Sequence, residues 1–464
     1  MKRVLTVIFV LFIIFQAFPV MAEQNDSVSN LPALQGLKAE SVVLIDQLSG
    51  KVLYEKNAHT KMYPASVTKI MTVLLMIEDL NLDDILTVGR EINLKAKDAS
   101  SAGLRIGQKL TVRELIWALM LPSGNDAAYT AAVQVARKKS GDSSMGIPDA
   151  VDYFAGLMNK RALEIGAKES NFVNPHGYHD ADHYSTAYDL ALIAREAMKN
   201  EFFRETAKTQ NYSFMSDASS TVSKNSEPVQ WVNRNLLINK KSKYYYEYAT
   251  GIKTGYTSVA GSCLVSSAAR DDMNIIAVML KSPEDENRWM DSKTLLEYGL
   301  SNFKVHNLFN KGQIISSIKV GKRFLPNTVD LDVAADNEFS DILPKDGIQK
   351  IKQTITWDKS LLDPRDDGKG GEKLIGPVSK GQIVGKVTYM LDDKVLAESN
   401  LIATVSVMSL NTLDYVLSAG EYVLKHWYIV AIPLTGLVIL FVGVKVAKAR
   451  RRNKSTNTWK HHRY

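Results

Sequence analysis

Strand patterns bracket a long helical block in this chain, and that order leaves few ways to fold it. Residues 41–56 (SVVLIDQLSGKVLYEK) alternate and then turn at Ser49-Gly50, the pattern of an antiparallel hairpin. From residue 64 to about 215 the periodicity is helical, as in TVRELIWALM and AAYTAAVQVARKK. Strand patterns return near Tyr246 in YATGIKTGYT, GSCLVSSAAR and MNIIAVMLKS, with Asp271-Asp272 as a charged turn between the last two. The helical stretch RWMDSKTLLEYGLSNF closes this part. Strands at both ends of a helical block bury their apolar faces together in one sheet. The expectation is therefore an α+β domain over residues 35–304, an antiparallel sheet with helices packed on it.

The remaining segments read differently. Residues 305–408 hold short alternating runs (IISSIKV, IQKIKQTITW, QIVGKVTYML, NLIATVSV) separated by Gly, Pro and Asp, the pattern of a small all-β domain. DPRDDGKGGEK (363–373) has no helix after it and reads as a loop tip, not a phosphate cradle. Residues 409–426 read as an amphipathic linker. Residues 427–444 are uncharged and apolar apart from Thr435. At 1.5 Å per residue such a helix approaches the ~30 Å of a bilayer's hydrocarbon core. A basic tail at 445–464 follows, and the positive-inside rule places it in the cytoplasm with the rest of the chain outside. At the other end, Lys2 and Arg3, an apolar run to Phe18 and a small residue at Ala22 read as a signal peptide over 1–22.

Charge supports this division. Of 57 Lys and Arg, ten lie in 1–22 and 445–464, which hold no Asp or Glu; the other 47 face 50 acidic residues. The basic balance belongs to the ends and gives no case for a nucleic-acid partner. Cys263 is the one cysteine, so no internal disulfide forms, and its apolar setting in GSCLVSSAA reads as core.

Three short motifs carry chemistry. Ser66 and Lys69 lie three residues apart in PASVTKIMT, Ser123 and Asn125 in LPSGNDAA between two helices, and Lys253-Thr254-Gly255 in a strand. Ser-x-x-Lys recurs at Ser301/Lys304 and Ser316/Lys319, and Ser-x-Asn at Ser223/Asn225 and Ser409/Asn411, so neither is specific alone. Order and setting give the set its meaning. A serine nucleophile needs a base within hydrogen-bond reach, which i, i+3 on a helix supplies. Burial beside Ile70, Met71 and Val73, with Lys253 as a second cation, would keep Lys69 neutral. The helix start favours a developing anion at Ser66. Gly255 lets a ligand backbone approach the strand, where a peptide can add along KTGYT, and the N–H groups of Ser66 and Tyr256 would form an oxyanion hole.

This order of motifs is the signature of penicillin-binding proteins and class A β-lactamases. With NPHGYHDADHYSTAYDLALIA and GIKTGYTSVAGSCLVSSAAR beside them, the chain resembles the serine-type D-Ala-D-Ala carboxypeptidases, the low-molecular-mass penicillin-binding proteins. The likeness covers residues 35 to about 300, and more loosely the β domain through GPVSKGQIVGKV (376–387). It implies a β-lactamase/transpeptidase-like fold, Ser66 as nucleophile, Lys69 as acylation base, and Ser123 and Asn125 as proton relay and substrate-amide contact. Lys253 and Thr254, helped by Arg288, would bind the substrate's terminal carboxylate. It also implies a bacterial cell-membrane enzyme, single-pass and extracytoplasmic, that trims the terminal D-Ala from peptidoglycan stem pentapeptides. β-Lactams would inhibit it, and no metal or cofactor is called for. Two departures stand out: Ser-Gly-Asn in place of Ser-Asp-Asn, and a full span where the family often has an amphipathic anchor.

Other readings share parts of the pattern. His176, His179 and His183 with Asp180 and Asp182 raise a zinc peptidase, although the spacing is not His-Glu-x-x-His. A β-lactamase would need a deacylating Glu ahead of an Asn; Glu169 and Asn174 are the nearest pair. A non-catalytic sensor of muropeptides or β-lactams would have no need of the base.

Overall fold

The computed structural model describes residues 34–215, 228–321, 328–363, 372–408, 416, 420, 422 and 424–457. The expected signal peptide lies outside these residues, as do most of the linker 409–426 and the loop tip at 364–371.

The hairpin forms from β1 (Ser41–Asp46) and β2 (Val52–Lys56). The helical block follows as α1 (Lys69–Asp79), α2 (Val112–Met120), α3 (Asn125–Ser140), α4 (Ile147–Ile165), α5 (Ala187–Ala197) and α6 (Glu201–Lys208). Two small ribbons interrupt it, β3 (Ile85–Thr87) with β4 (Lys109–Thr111), and β5 (Asn211–Met215) with β6 (Pro228–Val232). Then come β7 (Ala249–Thr257), β8 (Gly261–Arg270), β9 (Met273–Ser282) and α7 (Asp285–Asn302). The five long strands make one antiparallel sheet in the order β2-β1-β9-β8-β7, so the two ends of the sequence pattern meet at β1 and β9 and β7 is left at an edge.

The central strands read as nearly continuous apolar runs because both their faces are covered. Every residue of β1 is buried. Val43, Ile45, Val265, Ile276 and Val278 enter the core shared with α1 to α6, whereas Val42, Leu44, Leu264, Ile275 and Met279 enter the core shared with α7. The two-residue period of a strand thus feeds two helical layers. Gly299 of α7 makes the second layer close: a Cβ there would stand 2.9 Å from both Ile275 Cδ1 and Leu44 Cδ2. On the other side α1 runs through the centre, buried at every position from Lys69 to Met76, its polar members Lys69 and Thr72 included. A capping box between Thr111 and Glu114 starts α2, and the Thr186 hydroxyl accepts from Asp189 N to start α5.

The next strands are β10 (Phe303–Phe309), β11 (Ile314–Gly321), β12 (Thr328–Ala335), β13 (Phe339–Pro344), β14 (Lys352–Trp357), β15 (Lys373–Ile375), β16 (Ile383–Leu391) and β17 (Lys394–Ala403). Two compact units emerge: residues up to Leu308 with Ser340–Ile351 form one, and the remainder the other. The return of Ser340–Ile351 to the first unit is not visible in its pattern. It follows from β13 pairing with β10 and from Lys51 Nζ reaching Asp341 Oδ2 at 2.7 Å and Ile342 O at 2.8 Å. The second unit holds a six-stranded sheet, β14-β16-β17-β12-β11-β15, with β15 parallel to β11. α8 (Trp427–Asn457) is long and apolar enough over Trp427–Arg451 to cross a membrane, and it continues past residue 444 into Lys445, Lys448, Arg450 and Arg451.

Candidate active site

Ser66 lies in a tight 3-10 turn, Ala65–Thr68, that continues into α1 at Lys69. The turn is braced from outside. Ala65 takes a left-handed φ of 49°, which costs an L-residue roughly 1–2 kcal/mol. Thr68 Oγ1 donates to Ala65 O at 2.8 Å and stands 2.9 Å from His183 Nε2. With its own proton on Ala65 O, Thr68 accepts from His183 Nε2–H, while His183 Nδ1 accepts from Val173 N at 3.1 Å. His183 is thus a neutral, fully used imidazole, and burial holds its pKa down at about 4. Gly177 completes the brace: a Cβ there would overlap Ala65 O at 1.8 Å.

Lys69 is fully buried, with its Nζ 3.0 Å from Ser66 Oγ, 2.7 Å from Asn125 Oδ1 and 2.9 Å from His176 O. Burial first, then Lys253 and Arg234, push its pKa well below the ordinary lysine value. A neutral amine has two N–H groups and one lone pair. The two carbonyl oxygens can only accept, so they take the N–H groups and the lone pair is left to the Ser66 hydroxyl.

The segment around His176 works through its backbone. Asn174 Oδ1 accepts from His176 N and Gly177 N, Thr72 Oγ1 donates to Pro175 O at 2.5 Å, and His176 O faces Lys69. His176 Nδ1 accepts from Tyr178 N, its ring meets Tyr129 edge-on, and His179 meets Tyr63 the same way. Among the described residues no group of three or more His, Cys, Asp or Glu is placed to hold a metal ion. Glu169 pairs with His59 and does not line the cleft.

Ser123 has a left-handed φ of 66° in the turn between α2 and α3. Its Oγ accepts from Lys253 Nζ at 2.9 Å, and its carbonyl accepts from Ser100 Oγ at 2.6 Å. The middle residue of Ser-Gly-Asn has no room for a side chain, since a Cβ on Gly124 would stand 2.8 Å from Ala118 O and Ala102 Cβ. Asp126, which sequence reading passed over, ties the neighbouring loop to α3. It accepts from the N–H groups of Ala102, Gly103 and Leu104 and from Ser101 Oγ.

Edge strand β7 forms the facing wall. Lys253 is buried, and its pKa falls to about 7, first through burial and then through Arg234 and Arg288. Gly255 lets the strand touch the Ser66 turn; a Cβ there would stand 3.0 Å from Pro64 O and 3.1 Å from Ser66 N. Arg288, in the first turn of α7, donates through Nη1 to Gly255 O at 2.9 Å and pairs with Asp285. Its Nε is buried without a hydrogen-bond partner among the described residues.

These walls enclose a cleft of about 540 Å³ lined by Ser66, Ser123, Asn125, Thr254, Gly255, Tyr256 and Arg288. Lys69 and Lys253 lie behind that lining, each bonded to a serine that is exposed to it. All nine expected residues thus come together. Arg234 joins them unexpectedly at the rim, between Asn233 and Asn235, whose side chains bond backbone atoms on either side. An arginine between two asparagines is too weak a pattern to find from sequence.

Comparison with known proteins follows the same division. A family model described as D-alanyl-D-alanine carboxypeptidase matches residues 26–284, and one described as the penicillin-binding protein 5 C-terminal domain matches 303–409. The chain is 32% identical over 375 residues to D-alanyl-D-alanine carboxypeptidase DacF of Bacillus subtilis, covering 79% of this chain and 85% of the relative. It is 28% identical over 416 residues to DacA of Escherichia coli K12, covering 86% and 91%. Among solved structures, penicillin-binding protein 5 of Haemophilus influenzae matches at a TM-score of 0.59 and 28% identity, covering 82% of this chain and 100% of the other. The Streptomyces K15 DD-transpeptidase matches at 0.52 and 33%, covering 58% and 100%.

Proposed function

The chain belongs to the D-alanyl-D-alanine carboxypeptidase family and is a serine-type carboxypeptidase; from that membership we propose a residue-by-residue mechanism centred on Ser66. The observation that carries it is the amine of Lys69, buried, short of protons and aimed at the Ser66 hydroxyl. Lys69 takes the Ser66 proton as Oγ attacks the carbonyl of the penultimate D-Ala of a peptidoglycan stem pentapeptide. The N–H groups of Ser66 and Tyr256 hold the oxyanion, each such donor contributing about 3–4 kcal/mol in the transition state. The C–N bond then breaks. Ser123, whose oxygen accepts from Lys253 and whose proton is therefore free to turn elsewhere, protonates the departing D-Ala amine. The proton that Lys69 took from Ser66 replaces it on Ser123, so the net transfer is from Ser66 to the leaving amine. Water hydrolyses the ester, releasing a tetrapeptide and restoring Ser66.

Binding follows the sheet edge. The substrate adds as an antiparallel strand along β7, with its terminal carboxylate held by Lys253, Thr254 and Arg288, and Asn125 contacting the acyl amide. β-Lactams acylate Ser66 in the substrate's place. α8 anchors the chain as a single span, with the catalytic unit outside the cytoplasm and the basic tail inside.

Labelling the full chain in detergent with a fluorescent penicillin tests the centre of this reading. The expected result is a covalent adduct that is absent from Ser66→Ala; an adduct that persists in that variant would remove Ser66 as the nucleophile.

A further inference from the structure

The cleft does not end at the nucleophile. Its lining runs along β7 from Thr254 to Thr257 and on through the turn to Val259, where a second cavity of about 450 Å³ opens. The two share Val259, and Tyr63 of the second cavity meets His179 of the first edge-on at 4.7 Å. The second cavity therefore continues the first around the β7–β8 turn.

Its chemistry differs from that of the first. Lys61 lies over the Tyr184 ring at 4.5 Å and forms no ion pair among the described residues. Across the cavity, Lys281 is held by Glu40 at 2.8 Å. Two lysines against one glutamate leave a positive balance, with Lys61 as the cation still to be answered. Leading up to it, Tyr256 on the sheet edge and Val259 in the turn stand 64% and 47% exposed.

Resting on the mechanism above, we propose that this cavity is a subsite for the acyl side of the substrate and recognises a free carboxylate there. Direction decides which part of the peptide arrives. A strand antiparallel to β7, with its carboxylate end at Lys253 and its scissile carbonyl beside Ser66, runs upstream past Thr257 to Val259. β7 ends at Thr257 and residues 258–260 turn back into β8, so an added strand pairs with β7 only as far as Thr257, and its next one or two residues, at about 3.3 Å each, pass the turn at Val259. The group arriving beside Lys61 is therefore two or three residues before the acylated D-Ala. Tyr184 supplies a flat apolar support that keeps the Lys61 ammonium near the cavity.

Two matched peptides test this on the full chain in detergent: L-Ala-γ-D-Glu-L-Lys-D-Ala-D-Ala, and its counterpart with the D-Glu α-carboxylate replaced by the carboxamide. Diacetyl-Lys-D-Ala-D-Ala and fluorescent penicillin, which stop short of the cavity, serve as controls. The wild-type chain should prefer the carboxylate by about two- to fivefold in kcat/KM at low ionic strength, the range of a partly exposed ion pair, and less at high salt. Combined Lys61→Ala and Lys281→Ala should abolish the preference while leaving both controls unchanged. Glu40→Gln, which frees Lys281, should increase it. Equal rates for the two peptides, or a preference that survives in the double variant, would overturn the subsite and leave the mechanism standing. Failure of wild type on both controls would overturn the mechanism, and the subsite with it.

Discussion

Lys253 Nζ donates to Ser123 Oγ at 2.9 Å, joining the edge strand of the sheet to the turn between α2 and α3 across 130 residues of chain. Lys69 and Ser66 make the parallel pair on the helix side, at 3.0 Å. Two buried lysines thus each hold one hydroxyl that faces the cleft. Lys253 disfavours protonation of Lys69, and Arg234 and Arg288 do the same to Lys253, because cations in one dry site repel.

Removing the first amine should cost most. Lys69→Ala is expected to slow penicillin acylation by at least ~10²-fold, the lower range of general-base contributions. Circular dichroism should remain that of the folded chain, because the variant also removes a lysine that is costly to bury. Acylation at the wild-type rate would overturn Lys69 as the base.

Lys253 gives a pH dependence with a definite sign. Its folded pKa is about 7, below the ordinary value near 10.5. The unfolded chain therefore binds the extra proton between those values, and stability from this group rises with pH across that window and is lost as pH falls through about 7. The difference in melting temperature between wild type and Lys253→Met should shift in favour of wild type from pH 7 to pH 9.5. A pH-independent difference would show that Lys253 is not held neutral by the fold.

Gly255→Ala probes the contact between β7 and the Ser66 turn. Its Cβ would stand 3.0 Å from Pro64 O and 3.1 Å from Ser66 N, both backbone atoms with little freedom to move. Overpacking of this kind costs about 1–3 kcal/mol of stability. A strand displaced by a fraction of an ångström should slow acylation by up to ~10²-fold. Chemical denaturation and stopped-flow labelling would measure the two losses separately.

Arg288→Ala should act on substrate capture. We expect kcat/KM for D-Ala-D-Ala peptides to fall by about 10-fold or more, in line with a lost charge-assisted hydrogen bond. The loss should be smaller for an analogue with an amidated C-terminus. Equal losses on both would assign Arg288 to bracing Gly255 O, to which its Nη1 donates at 2.9 Å.

What the sequence determined was local. Period-two runs at 41–56 and 246–282 marked the sheet, the spacing of Ser66 and Lys69 put both on one side of a helical start, and Lys253-Thr254-Gly255 identified its strand. These follow from backbone geometry that repeats over a few residues. The state of Lys69 was decided only in three dimensions. Asn125 and His176 O, which face it, lie 56 and 107 residues away, and Arg234 adds charge from a segment with no motif. Gly124 shows the same limit: its lack of a side chain is explained by Ala118 O and Ala102 Cβ, not by its neighbours in LPSGN. The docking of Ser340–Ile351 onto the first unit was equally hidden, because a strand's pattern records that one face is buried but not against what. Proton affinity and close packing depend on which groups surround an atom, and in this protein those groups are brought together by the fold from distant parts of the chain.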